Sequence, residues 1–262
     1  MRAFPTLWMI AFFVASSTSL LAESSLSDMV LIPTGVYTPL YKNAAGEARI
    51  QVEAFYLDRY AVTNAQFLEF VKAYPQWRGS QVKRIFADAS YLQHWHSDLT
   101  PNYQGYQAES PVTQVSWFAA MAYCRSQGKR LPNLDEWEYA AAAGVTTPQS
   151  KEDPQFKQWI LDWYSAPTPQ TLSKVGSTFH NYWGVSDLHG LIWEWVADFN
   201  TALVTGESRG DSGLERDLFC GSGSIRSSDF QDYAAFLRYG LRGSLKANYT
   251  NANLGFRCAQ DR

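Results

Sequence analysis

Three cysteines, a pair of close histidines and an arginine-rich tail are the parts of this chain whose residue types and spacing can do chemistry. Cys124, Cys220 and Cys258 form an odd set, which allows one disulfide with a leftover thiol or three free thiols. Cys220, in FCGSGSIRSS, reads either as a reactive thiol or soft-metal ligand, or as a small buried hydrophobe. His94 and His96 stand two apart, so on a strand they share a face, and Asp98 adds a carboxylate. The set lacks a third clear ligand, so a surface or packing role is the reading; His180 and His189 look solitary. The tail gathers Arg226, Ser227, Ser228, Tyr233, Arg238, Tyr239, Arg242, Ser244 and Asn248. Guanidinium forks, hydroxyls and aromatic edges suit a peptide or a polar small molecule, while the same arginines can instead staple loops together.

The elements that must position these residues are partly legible. Residues 30–41 carry Pro33, Gly35 and Pro39 among β-formers and predict short strands broken by turns. Residues 51–60 alternate as a strand does. Thr63 followed by Gln66 predicts a capped helix, with Phe67, Phe70 and Val71 on its buried face. Ser116 opens a second helix that buries Trp117, Ala120, Met121 and Cys124 and stops at Gly128. A third begins near Asn133, with Asp135 and Glu136 at the positive end of its dipole, and ends by Gly144. Lys129 and Arg130 are placed to pair with Asp135, Glu136 or Glu138, as a brace between these helices. Trp137, Tyr139, Trp193 and Trp195 read as core anchors. From Gly144 onward the chain is rich in Gly, Asn and Ser and predicts few helical stretches.

Composition narrows the function classes. The chain is 46% hydrophobic with 10 Trp, 15 Tyr and 15 Phe, enough to fill one large core. A net charge of -3 with mixed signs gives no electrostatic grip on nucleic acid. Arg2, the apolar run 7–14, and the small residues up to Ala22 predict a signal peptide over 1–22, hence a periplasmic or secreted protein. The serines and threonine at 16–19 interrupt that run, which is too short for a span, and no later segment is apolar enough to cross a bilayer. Export favours a disulfide among the cysteines.

The blocks DMVLIPTGVY, FYLDRYAVTNAQFLEFV, PVTQVSWFAAMAYCRSQGKRLPNLDEWEYAAAAG, GVSDLHGLIWEWVADF and NLGFRCA occur in this order over 28–262. Together they resemble the formylglycine-generating-enzyme (sulfatase-modifying-factor) domain. The resemblance implies an α+β, C-type-lectin-like fold, loop-rich with little regular secondary structure. It also implies a disulfide between Cys124 and Cys258, which leaves Cys220 unpaired. GVSDLHGLIWEW is similar to the family's calcium loop, which implies Asp187 and Glu194 carboxylates with Gly190 and Ile192 carbonyls around one structural calcium. The family's usual Asn after the glycine is Leu191 here, and no ligand set for its second calcium stands between 144 and 175.

The family enzyme oxidises a substrate cysteine using copper(I) held by two cysteines, and counting back from LGFRC puts Ala234 and Tyr239 at those positions. Neither holds copper(I) as a thiolate does, so copper at the family site and the oxidase activity are expected to be absent. Three functions follow from the resemblance. One is a periplasmic maturation factor that binds a client redox metalloenzyme, or its cofactor, in the cleft bearing Cys220, Arg226, Ser228, Arg238, Tyr239 and Arg242. The second is an enzyme with altered chemistry in that cleft. The third is a lectin-like module that binds a small polar ligand.

Overall fold

The computed structural model describes residues 28–40, 49–102, 108–167, 169–200 and 233–262. The expected signal segment, Cys220, Arg226, Ser227 and Ser228 lie outside the described residues.

Short strands and helices alternate with long ordered turns. β1 (Met29–Ile32), β4 (Phe55–Asp58) and β7 (Ala259–Asp261) form an antiparallel sheet in the order β1-β4-β7, so the first and last described strands lie on either side of β4. β2 (Gly35–Tyr37) and β3 (Ile50–Val52) make an antiparallel pair, while β5 (Trp193–Glu194) and β6 (Leu254–Gly255) pair in parallel. In β4, Phe55 and Leu57 alternate inward at period two and are almost wholly buried.

The helices begin where side-chain oxygens meet the orphan backbone amides of a first turn. α1 (Asn64–Ala73) has a reciprocal capping box between Thr63 and Gln66. α2 (Trp117–Ser126) is capped by Ser116 and closes at Gly128, whose φ of +70° suits a residue without a Cβ. α3 (Leu134–Ala141) has a second capping box, between Asn133 and Glu136. Phe67 of α1, Tyr123 of α2 and Phe256 meet in one aromatic cluster, with ring centroids 5.3–6.2 Å apart.

The second half is more helical than its composition suggests. α4 (Pro154–Ser165) starts from an Asp153 cap with Pro at its first position, and α5 (Tyr233–Ser244) packs against α4. Cys124 of α2 and Cys258 are joined by a disulfide, with Cα atoms 5.6 Å apart across a sequence separation of 134. Both cysteines are fully buried, so this bond ties α2 to the strand that closes the main sheet.

Candidate functional site

The tail arginines are the first place to look for a ligand grip, and the structure commits the described ones elsewhere. Arg238 and Arg242 stand four apart on α5, so they share a face, and both turn to Glu138 of α3. Arg238 makes three contacts of 2.6–3.2 Å to that carboxylate, and Arg242 makes one of 2.6 Å. All three side chains are at most 9% exposed. Burial alone would raise the Glu138 carboxyl; the two guanidiniums outweigh it and hold the pKa at about 2. Trp137 lies under both cations, with the Arg242 guanidinium 4.6 Å from its ring centroid. Arg238 and Arg242 are therefore staples between α3 and α5, the second of the two readings the sequence offered for them.

Ala234 and Tyr239 line a pocket on this same face, with Tyr37, Phe156 and His189 among the other walls. Tyr239 is buried and shares a hydrogen bond with Tyr37, which in turn donates to Asp135. His189 is also buried, and its Nε2 bonds the Ala141 carbonyl. Burial, reinforced by Arg238, lowers the His189 pKa to about 3, so the ring is neutral. The pocket's volume is about 80 Å³.

The loop expected to hold calcium is bonded internally. Asp187 accepts from the Gly176 and Thr178 amides and from the Thr178 hydroxyl. Gly190 leaves room for that hydroxyl, since a Cβ there would fall 2.6 Å from it. Glu194 faces a different partner. Its two oxygens take Arg257 at 2.7–3.0 Å and the Trp137 indole at 2.8 Å. Arg257 spends its other donors on the Asp58, Arg59 and Ser186 carbonyls, so all five of its N–H groups are used. A carboxylate forked by a buried guanidinium does not fit a cation cage, and calcium here stays an expectation that these contacts do not support. Asp187 and Leu191 both sit at positive φ, 63° and 61°, a conformation Asn tolerates better than Leu.

Other candidate ligands are likewise engaged. His94 lies in a turn rather than a strand, with its ring Nδ1 2.7 Å from the Gln114 amide oxygen, and His96 is exposed. Asp98 accepts from the Ser80 amide and hydroxyl. Among the described residues no group of three or more His, Cys, Asp or Glu could hold a metal ion. Lys129 pairs with Asp58 at 2.7 Å, while Arg130 takes Glu136 and Asp261 at 2.6 Å, so the brace ties α3 to the sheet.

Larger openings lie elsewhere. A wide one among the described residues, of about 800 Å³, is lined by Asp28, Asp58, Tyr60 and Lys129 among others. Two more adjoin one another. One, of about 420 Å³, is lined by Asn64, His94, Asn102, Gln114 and Gln170 among others. A second, of about 360 Å³, is lined by Trp163, Tyr164, Trp193 and Asn253. Both include Pro169 and Leu172, so they adjoin as one groove. Trp193 is half-buried here rather than a core anchor; its centroid lies 4.8 Å from the stacked Tyr164 ring and 5.3 Å from Trp163. Trp137, Tyr139 and Trp195 are buried, at 1–4% exposure. Sequence reasoning missed this groove because its walls come from segments that share no motif.

The order of motifs and this architecture match a known domain. The sulfatase-modifying factor enzyme 1-like domain aligns with residues 16–262. The chain belongs to that family. Its relatives include the formylglycine-generating enzyme of Bos taurus, 29% identical over 90% of this chain and 75% of that protein. Another is the inactive C-alpha-formylglycine-generating enzyme 2 of Mus musculus, 27% identical over 88% of this chain and 85% of that one. The solved structure of CarF shares the fold, with a TM-score of 0.52 at 18% identity, covering 90% of this chain and 98% of CarF. By the motif count back from LGFRC, Ala234 and Tyr239 stand where the resemblance puts the two copper(I) thiolates. A methyl group and a hydrogen-bonded phenol do not fit that ion, and both described cysteines are consumed in the disulfide.

Proposed function

We propose that this chain is an exported, non-oxidising member of its family that acts as an accessory factor by binding. What supports the reading is that Ala234 and Tyr239 stand where the motif count puts the copper-binding cysteines. Ala234 offers no donor, and the Tyr239 hydroxyl is tied into the Tyr37–Asp135 chain, where burial, ahead of the Glu138 charge, holds its pKa well above the ordinary range. A family relative whose name marks it inactive is consistent with a fold that outlives its chemistry. What the fold retains is the uncharged groove, a surface suited to a neutral ligand or to an uncharged feature of a client.

The test is mass spectrometry on a CxPxR peptide incubated with the purified chain and copper. The expected result is an unchanged cysteine. Conversion to the aldehyde overturns the reading.

A further inference from the structure

Among the described residues, Asp, Glu, Lys and Arg are absent from the walls of both openings of the groove, although 18% of the chain is charged. The imidazole on its described walls is that of His94, whose pKa burial lowers while the hydrogen bond to Gln114 partly opposes this. Phosphates and carboxylates would thus be desolvated on these described walls without a counter-charge, which disfavours anionic ligands. Cations fare no better, since no wall carboxylate faces them.

The polar groups that remain are amides with bonding capacity to spare. Asn102 Oδ1 is buried and has no hydrogen-bond partner among the described residues. Gln114 Oε1 is taken by the His94 amide and ring, yet the two Nε2 hydrogens of Gln114 meet no acceptor among those residues. If His94 donates through Nδ1, its Nε2 lone pair is also open. Asn64, by contrast, is saturated by Trp95 and the Ser110 and Pro111 carbonyls, so it is part of the scaffold. Beside these amides stands the ring cluster Trp163, Tyr164 and Trp193.

We propose that this groove binds an uncharged saccharide, with a sugar face on the Trp163–Trp193 rings and hydroxyls on Asn102, Gln114 and Gln170. A hydroxyl both donates and accepts, so it can meet the open acceptor of Asn102 and the open donors of Gln114 alike. The apolar faces of sugar rings match aromatic walls, as ligands of mixed polarity do generally. An extended peptide fits less well. It is usually read by a strand edge, and β5, which supplies Trp193, is only two residues long. This inference rests on the binding reading above.

The experiment is calorimetric titration of the purified chain with neutral tri- and tetrasaccharides of the cellulose, starch, chitin and mannan types. A neutral proline-rich peptide and an acidic sugar serve as comparisons. Saturable binding of at least one neutral glycan is expected, weakened at least about tenfold by Trp193→Ala and by Asn102→Ala. Gln170 is exposed, so Gln170→Ala keeps the fold intact and is expected to weaken binding by a smaller factor. No binding of any neutral glycan at about 10 mM overturns the proposal. So does tighter binding of the peptide or of the acidic sugar. Aldehyde formation would instead sink the accessory reading, whereas a chain that makes no aldehyde and ignores neutral glycans sinks this proposal alone.

Discussion

The centre of the molecule and the groove beside it handle polarity in opposite ways. In the centre, full charges are buried and saturated: Glu138 holds two arginines, and Arg257 spends every donor on Glu194 and three carbonyls. On the described walls of the groove no full charge is present, and neutral amides keep unspent capacity. Tyr164 connects the two. Its hydroxyl accepts from Arg238 at 3.0 Å while its ring stacks on Trp193. Saturated charge therefore builds the frame and aims an aromatic wall, and unsaturated neutrality is what the frame presents to a ligand. A buried polar group left unpaired lowers stability, so its persistence points to binding more than a satisfied ion pair does.

The largest effect expected on the frame side comes from the disulfide. Replacing Cys124 and Cys258 together by Ser opens a loop spanning 134 positions, worth about 4–5 kcal/mol in the chain-entropy picture. A large fall in the urea midpoint is expected. A fall under about 1 kcal/mol would show that the denatured chain already holds these segments together.

Arg257→Ala is next, at about 3–5 kcal/mol, because it strands a buried carboxylate and three carbonyls at once. Arg257→Lys is expected to recover little, since one ammonium cannot reproduce the fork. Full rescue by Lys, read in the same denaturation curves, would mean that charge alone matters at this site.

How much of this contrast was legible depended on whether a signal is local. The capping pairs Thr63–Gln66 and Asn133–Glu136 sit three residues apart, and both helices form where they predict. α4 carries a local start signal in the Asp153–Pro154 step that the sequence reading passed over, because its aromatic-rich interior hid the helical period. α5 contains Gly240 and owes its place to arginines whose partner lies about a hundred residues away. The same distance hid the pairing of Glu194 with Arg257, so a loop that looks like a cation cage by sequence is an ion-pair anchor in space. The groove was least legible of all. Asn102, Gln114, Trp163 and Trp193 have no common period or spacing, and only the tertiary packing brings them together.

A subtler test of the frame uses pH. His189 is wedged among the Trp137, Phe156 and Trp159 rings with a pKa near 3, below its ordinary 6.5. The sign follows from which state takes the proton. Below about pH 6.5 the unfolded chain protonates this ring and the folded chain does not, so the stability present above 6.5 drains away as pH falls towards 3. The slope expected from one such group is up to about 1.4 kcal/mol per pH unit. His94, shifted the same way by burial, adds to it. Glu138 enters only lower: it keeps its contribution until pH drops below the ordinary carboxylate range towards 2. Unfolding curves between pH 6.5 and 5 should therefore steepen with acid in the parent and be flatter in His189→Phe. Equal slopes would place the proton elsewhere.

The smallest expected effect is the sharpest test of the comparison. Asn102→Ala removes a buried acceptor that has no partner among the described residues, whereas Arg257→Ala removes donors that all have one. Deleting a satisfied buried group exposes its partners to desolvation without compensation, and deleting an unsatisfied one relieves that cost. The Asn102→Ala melting temperature is thus expected to match the parent's or to rise slightly, by an amount within about 1 kcal/mol. Glycan titration of the same variant should show weakened binding, giving a loss of function without a loss of stability. If Asn102→Ala instead melts well below the parent, the amide is part of the frame, and the division between a saturated centre and an unsaturated groove fails at the residue on which it most depends.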